Sequence, residues 1–424
     1  MSILPDLTWR GLIHQSTAPD HLPGWLDSGS RTLYCGFDPT SDSLHVGSLL
    51  PALILRRFQK AGHRPIALVG GATGMIGDPS GKSEERNLLS VEQLQANVEG
   101  IGKQLEQFLD FSGSSGAKLL NNFDWMGKFS YLDFLRDVGK HFPVNVMLAK
   151  DSVSSRIERE SGISYTEFSY MLLQAYDFVH LSRTHGCELQ IGGSDQWGNI
   201  TAGIDLARRM HGSQLFGLTC PLLLKSDGTK MGKTEKGAVY LSPARTSPYA
   251  FYQYWINIAD ADCGNALRLL TELAREEVEA LDQSRTAEPH LRQSQKRLAE
   301  ELTRLVHGEA GLAAARKATE IFFGAEIEHL SDAQLTDIFA DVPSKTLPRD
   351  RLSGDGLPLT DALIEAGLGK SKSDVRRTIE QGGAYINNRP RTDVNTKLTS
   401  ADLASETVMV VRSGKKKYGL LRFE

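Results

Sequence analysis

At 424 residues the chain exceeds one ordinary domain, and ~100–200 residues per domain points to two to four. Its 40% hydrophobic and 24% charged residues are those of a soluble globular protein with a large core, and no run approaches the ~18 apolar residues of a membrane span. The net charge of −4 is unevenly spread: residues 351–424 carry 13 Lys and Arg against 9 Asp and Glu, and the first 350 carry 35 against 43.

Residues 32–37 read as a strand that stops at Asp38-Pro39. Val46, Leu49, Leu50, Leu53, Ile54 and Phe58 then recur at helical spacing as far as Gly62. Pro65–Val69 is a short apolar strand that leads into the glycine-rich run Gly70–Gly81. A helix over Val91–Phe111, a strand at Lys118–Leu120 and a helix over Tyr131–Val138 follow. Further on come a strand at Glu188–Ile191, the pair Gly192-Gly193, and a helix from about Ile200 to Met210. Apolar strands alternating with amphipathic helices predict an α/β fold, a doubly wound, Rossmann-like parallel sheet, over 1–222.

From Pro248 to about Phe323 strand-like runs vanish, which predicts an all-helical domain within 223–323. Residues 324–350 have little periodicity and read as a linker. Residues 351–424 read as a small α+β domain, with helices near Pro358–Glu365 and Ser373–Gln381 and strands at Ala384–Ile386 and Thr407–Val411. The N-terminus lacks the basic-then-apolar pattern of a secretory signal, so a cytoplasmic location with no membrane association is expected. Cys35, Cys187, Cys220 and Cys263 show no Cys-x-x-Cys spacing; no protein metal site and no disulfide framework is expected.

Several glycine-rich motifs compete. Gly71-Ala-Thr-Gly74-Met-Ile-Gly77 looks like a dinucleotide loop, but no tyrosine has the lysine four residues on that a short-chain dehydrogenase needs. Gly77-Asp-Pro-Ser-Gly81-Lys82-Ser83 and Gly228-Thr-Lys-Met-Gly232-Lys233-Thr234 each fall one residue short of a P-loop. That shortening changes which backbone N–H groups converge on phosphate. Order and combination are more informative. Asp38-Pro39-Thr40-Ser-Asp-Ser-Leu-His45-Val46-Gly47-Ser48 follows a strand and opens a helix, whose N-terminus favours phosphate. Lys230-Met231-Gly232-Lys233-Thr234 brings two cations nearly two hundred residues later. Tyr170, Gln174 and Asp177 share one helix face among Phe168, Leu172, Leu173 and Phe178, so they are expected to be buried and to need partners.

The two signatures in this order resemble those of class I aminoacyl-tRNA synthetases. With Tyr34-Cys35-Gly36-Phe37-Asp38-Pro39-Thr40, Gly70–Pro79, Tyr170–Asp177 and Gln190–Asn199, the chain resembles bacterial tyrosyl-tRNA synthetases along essentially its whole length. The resemblance implies a ligase that joins ATP and L-tyrosine as tyrosyl-adenylate, then transfers tyrosine to the terminal adenosine of tRNA(Tyr). It implies that Thr40, His45, Lys82, Arg86, Lys230, Lys233 and Thr234 act on the phosphates, with Mg²⁺ arriving with ATP. Tyr170, Gln174 and Asp78 would take the ammonium of tyrosine, Tyr34 and Asp177 its phenol, with Gln190 nearby. Cys35, Gly36, Asp38, Gly47, Ser48, Gly193, Asp195, Gln196 and Lys233 would line the nucleotide.

It also implies a homodimer formed through an insertion near 121–160, anticodon recognition by the helical domain, and RNA binding by 351–424. There Lys370, Lys372, Arg376, Arg377, Arg389, Arg391 and Lys415–Lys417 supply charge. Two positions depart from the family pattern: Ser48 replaces its usual histidine or asparagine, and Gly232 its serine. A ligase for tryptophan and an RNA-binding protein on a synthetase scaffold are the rival readings. The Tyr34 and Asp177 pair opposes the first, and the intact His45, Lys230, Lys233 and Asp78 oppose the second.

Overall fold

A computed structural model describes residues 2–80, 89–113, 115–158, 162–235, 237–327, 330–339 and 342–424. The chain forms two compact units, one of Met1–Arg245 with Ile258–Leu298 and the other of Thr246–Asn257 with Ala299–Glu424.

The first unit is built on six strands: β1 (Gln15–Ser16), β2 (Thr32–Phe37), β3 (Arg64–Val69), β4 (Lys118–Asn121), β5 (Cys187–Gly193) and β6 (Phe216–Cys220). They lie in the order β1-β6-β5-β2-β3-β4, all parallel except β1, which runs against β6. β3 is buried from its second residue onward and β6 throughout, as parallel strands covered on both faces must be. Four helices carry the rest of the argument: α1 (Val46–Lys60), α2 (Val91–Leu105), α3 (Tyr165–His185) and α4 (Trp197–His211). The chain leaves β2 toward β3 and β4, and leaves β5 toward β6. Strand order therefore reverses between β2 and β5, and the crevice beyond their carboxyl ends is where such sheets bind ligands.

Local chemistry fixes the helix ends. Ser164 caps α3 by accepting from Glu167 N at 3.2 Å, and Gly186, at φ 60°, closes it. The helix expected to run to Phe111 stops at Leu105. Gln59 takes over the chain beyond it, accepting from Asp110 N at 3.0 Å and donating to Asp110 O at 2.5 Å. β6 escaped the sequence reading because Gly217 and Thr219 interrupt its apolar run. The glycine is there because a Cβ would meet Ile200 Cγ2 at 2.5 Å.

The helical run Gln293–Phe322 is broken at Gly308, which lies in the second unit, where φ is 71° and ψ −179°. The five-stranded sheet has the order Arg389–Pro390, Ala384–Ile386, Val408–Ser413, Lys417–Phe423, Ser344–Leu347. The expected linker at 324–350 is thus corrected. It holds a helix, Asp332–Ile338, and its strand Ser344–Leu347 pairs parallel with Lys417–Phe423. Leu335 and Phe339 pack with Ile321, Tyr418 and Leu420. Asp332, within that stretch, accepts from the Ser405 hydroxyl and, at 3.1 and 2.6 Å, from Thr407 N and Oγ1.

The base of α3 rests on a fully buried ion pair. Arg156 and Glu167, 2% and 1% exposed, meet at 2.8 Å, and Arg156 Nε also donates to Gly162 O at 3.3 Å. Removing one partner strands the other charge, whereas two matched apolar residues remove both. Arg156→Met is expected to cost about 3–5 kcal/mol, read as a lower unfolding midpoint, and the double variant Arg156→Met/Glu167→Leu to recover most of it.

Candidate functional site

Two adjoining cavities open at the carboxyl ends of β2 and β5, of about 340 and 250 Å³. They share walls at Gly36, Asp38, Gly193, Asp195 and Lys230.

The smaller cavity is lined by side chains from β2, β5 and α3. Tyr34 and Gln190 are direct neighbours across the β2–β5 ladder, and α3 adds Tyr170, Gln174 and Asp177 at i, i+4 and i+7. Three buried atoms facing this space, Tyr34 Oη, Gln174 Oε1 and Gln190 Oε1, have no hydrogen-bond partner among the described residues. Asp177 is 1% exposed and accepts from Asn122 Nδ2 at 3.0 Å and Trp125 Nε1 at 2.8 Å. Burial pushes its carboxyl up to about 7. The two donors oppose that rise and the Asp38 charge adds to it. Burial likewise lifts the Tyr34 phenol, with a further push from Asp177.

At the other end of this cavity Asp78, also buried, accepts from Ser80 N at 2.9 Å and Gln196 Nε2 at 2.8 Å. Gln174 Nε2 reaches Gln196 Oε1 at 3.3 Å. Tyr170 Oη donates to Asp38 Oδ2 at 2.9 Å, and Thr73 Oγ1 to Asp38 Oδ1 at 2.9 Å. Asn122 Nδ2 also donates to Thr73 Oγ1 at 3.0 Å, so a chain of hydrogen bonds runs from Asp177 to Asp38. Gly70 is required beside it: a Cβ there would lie 2.3 Å from both Asp38 Oδ1 and Thr73 Oγ1.

The larger cavity is walled by the two signatures. His45 stands at the N-cap of α1 in extended conformation, followed by Gly47 and Ser48. Lys230, Gly232 and Lys233 line the opposite wall. Val46 N donates to Val239 O at 3.0 Å, and His45 bridges Tyr240, so the two segments are bonded to each other. Gly232 has φ 85°, and a Cβ on it would lie 2.7 Å from Val46 Cβ. Glycine in place of serine thus follows from the close approach of this loop to α1. Asp195 lies between the cavities; burial and Asp78 raise its carboxyl, and Lys230 lowers it.

Most of the expected site residues come together here. Cys35, Gly36, Asp38, Gly193, Asp195 and Gln196 line the smaller cavity; Gly36, Asp38, Gly47, Ser48, Gly193, Asp195 and Lys233 line the larger. Thr40 and Thr234 are exposed and line neither; Thr234 Oγ1 donates to Gly237 O at 3.1 Å. Lys82 and Arg86 lie outside the described residues. Sequence reasoning missed Thr73, Asn122 and Trp125. The available signal was the polar pair Asn121-Asn122 closing an apolar strand, which in a buried crevice must bond to something.

All four cysteines are free and buried, and burial raises the Cys35 thiol. Among the described residues no group of three or more His, Cys, Asp or Glu is placed to hold a metal, and no helix is long and apolar enough to cross a membrane. In the second unit several basic residues are committed to carboxylates: Lys372 to Asp361 at 3.0 Å, Arg389 to Glu326 at 3.1 Å, Arg391 to Asp402 at 2.9 Å. Lys370, Arg376, Arg377 and Lys415–Lys417 are exposed.

Residues 27–324 match the family described as tRNA synthetases class I (W and Y), and residues 334–421 match the tyrosine–tRNA ligase SYY-like C-terminal domain. The tyrosine–tRNA ligase of Rhodopirellula baltica is 60% identical over 423 residues, covering 100% of this chain and 97% of its own length. That of Roseiflexus castenholzii is 57% identical, covering 99% of each. Among solved structures, the C-terminally truncated mitochondrial tyrosyl-tRNA synthetase of Aspergillus nidulans superposes with a TM-score of 0.69 at 29% identity, over 76% of this chain and 94% of that one. The Archaeoglobus fulgidus tyrosyl-tRNA synthetase complexed with L-tyrosine shares the fold, with a TM-score of 0.54 at 18% identity, over 74% and 100%. The chain belongs to the class I tRNA synthetases of the W and Y group and, within it, to the tyrosine–tRNA ligases.

Proposed function

We propose that the smaller cavity holds tyrosine, its phenol against Tyr34 and Asp177, and that the larger holds ATP under the two signatures. The observation that carries this is the pairing of a buried carboxylate with three buried polar atoms left unpartnered around one space. A phenol O–H donates to the Asp177 carboxylate and accepts from Tyr34 Oη. Phenylalanine leaves both unmatched, at about 1–3 kcal/mol for each buried group. Asp78, Tyr170 and Gln174 take the ammonium. Gln190 lies alongside the ring.

Activation requires the tyrosine carboxylate to attack the α-phosphorus in line while pyrophosphate leaves. The protein has to orient two anions and neutralise developing charge. Lys230 and Lys233 supply cations, and His45 with Thr40 and Thr234 supplies hydrogen-bond donors. Thr40 and Thr234 act from outside the cavity walls. Lys82 and Arg86 contribute from the segment after the glycine-rich run. Cys35, Asp195, Gly193 and Gln196 take the ribose side, and Gly36, Asp38, Gly47 and Ser48 the nucleotide walls. Mg²⁺ enters as the ATP complex. The basic residues that remain exposed in 351–424 contact tRNA.

A homodimer in the cytoplasm completes the reading. Its support is an apolar face: Phe123, Tyr131, Leu132, Val144, Val146, Leu148 and Ile157 are all exposed within 121–160, Leu132 to 74%.

Pyrophosphate exchange into ATP is expected to depend on tyrosine and not on tryptophan. Tyr34→Phe should reduce the kcat/KM preference for tyrosine over phenylalanine by about tenfold, as loss of one buried hydrogen bond allows. An unaltered preference rejects the phenol assignment.

The raised Asp177 carboxyl also sets a pH dependence. In the unfolded chain it ionises near 3.8, in the folded one at about 7. Its contribution to stability therefore falls as pH rises from about 4 to about 7 and is level above. Bound tyrosine favours the ionised form, so its Kd should rise as pH drops below about 7, by up to about tenfold per pH unit. Asp177→Asn should lose this slope. Binding by wild type that stays level from pH 5.5 to 8 rejects it.

Leu132→Asp with Val144→Asp should shift sedimentation from dimer to monomer; an unchanged coefficient rejects the apolar face as the contact.

A further inference from the structure

Pro39–Leu44, the segment that delivers His45 to the cavity, lies along one face of α2. Asn97, Gly100 and Gln104 recur on that face at i, i+3 and i+7. Asn97, itself buried, donates from Nδ2 to Pro39 O at 3.0 Å. A Cβ on Gly100 would lie 2.2 Å from Asp42 O, so helix and loop touch backbone to backbone. Gln104 uses both ends of its amide: Oε1 accepts from Leu44 N at 2.7 Å, and Nε2 donates to Ser43 Oγ at 3.1 Å.

Ser43 is the hub of this contact. It is buried, donates to Leu44 O at 2.8 Å, and accepts from Ser242 N at 3.1 Å. Ser242 belongs to the segment that leaves the Lys230–Thr234 loop. Leu241 N donates to Leu44 O at 2.8 Å, and Arg245 pairs with Asp42 at 2.5 Å. The first signature thus meets the segment that follows the second on Ser43, and Gln104 bonds Ser43 from α2. Neither Ser43, Asn97 nor Gln104 lines either cavity. Apolar packing would keep the loop on α2 but let it slide along the helix axis. A two-ended amide does not permit that slide.

We infer that Gln104, acting through Ser43, is a positioning residue that sets His45 and the Lys230–Thr234 loop in mutual register for adenylate formation. The inference rests on the proposal above that these residues act on ATP. Misplacement of a reacting group by about 1 Å costs on the order of a hundredfold in rate. Tyrosine binding stands apart, because Tyr34 and Asp177 sit on β2 and α3.

Tyrosine-dependent pyrophosphate exchange by the full chain tests it. Gln104→Leu should lower kcat by about tenfold to a hundredfold while KM for tyrosine stays within about twofold. Gln104→Glu, which keeps the acceptor for Leu44 N but loses the Nε2 donor to Ser43, should recover only part of the rate. Ser43→Ala, nearly equal in volume, should lower kcat in the same direction. Combined with His45→Asn, Gln104→Leu should add little further loss, as residues acting through one another do. A kcat within about threefold of wild type in both Gln104→Leu and Ser43→Ala overturns the inference. So does a parallel rise in KM for tyrosine, or a full additive loss in the double variant. An undiminished kcat in His45→Asn alone instead rejects the reading of the nucleotide site on which the inference stands.

Discussion

A carboxylate cannot be left nearly dry inside a protein unless donors surround it, and Asp177 organises the substrate end of this molecule on those terms. Asn122 and Trp125 occupy one oxygen each, which pins β4 and the turn after it to α3. Asn122 then reaches Thr73, and Thr73 reaches Asp38 at the end of β2. One buried charge thereby sets the spacing of three strands and a helix. The same low dielectric that lifts its pKa strengthens the two hydrogen bonds it accepts.

The fold places the chemistry in two layers around this point. Reversal of strand order between β2 and β5 opens the crevice. Into it the strands deliver Tyr34 and Gln190 from their interiors, while loops deliver His45, Lys230 and Lys233. Under the proposed reading, specificity rests on rigid elements and phosphate chemistry on loops.

Much of this was legible in the sequence because the determinants are local. The apolar run of β3, the Tyr170–Asp177 spacing and the glycines beside Asp38 each state their own geometry. What stayed hidden depends on distant partners. Thr73, Asn122 and Trp125 look like ordinary turn and helix residues until the fold brings Asp177 to them. Asp332 reads as a linker acid because its partners, Ser405 and Thr407, come some seventy residues later. Gly232 reads as a lapse from a signature until Val46 is seen to fill the place of its side chain.

Tyr34 Oη, Gln174 Oε1 and Gln190 Oε1 find no partner among the described residues, so pairing at that spot falls to whatever enters the cavity. Residues kept for a ligand in this way are held against the interest of the unliganded state. A ligand that pairs with these atoms stabilises the fold by mass action, by about 2.7 kcal/mol at a concentration one hundred times its Kd. Occupancy of that cavity therefore adds to the resistance of the fold to opening and to proteolysis.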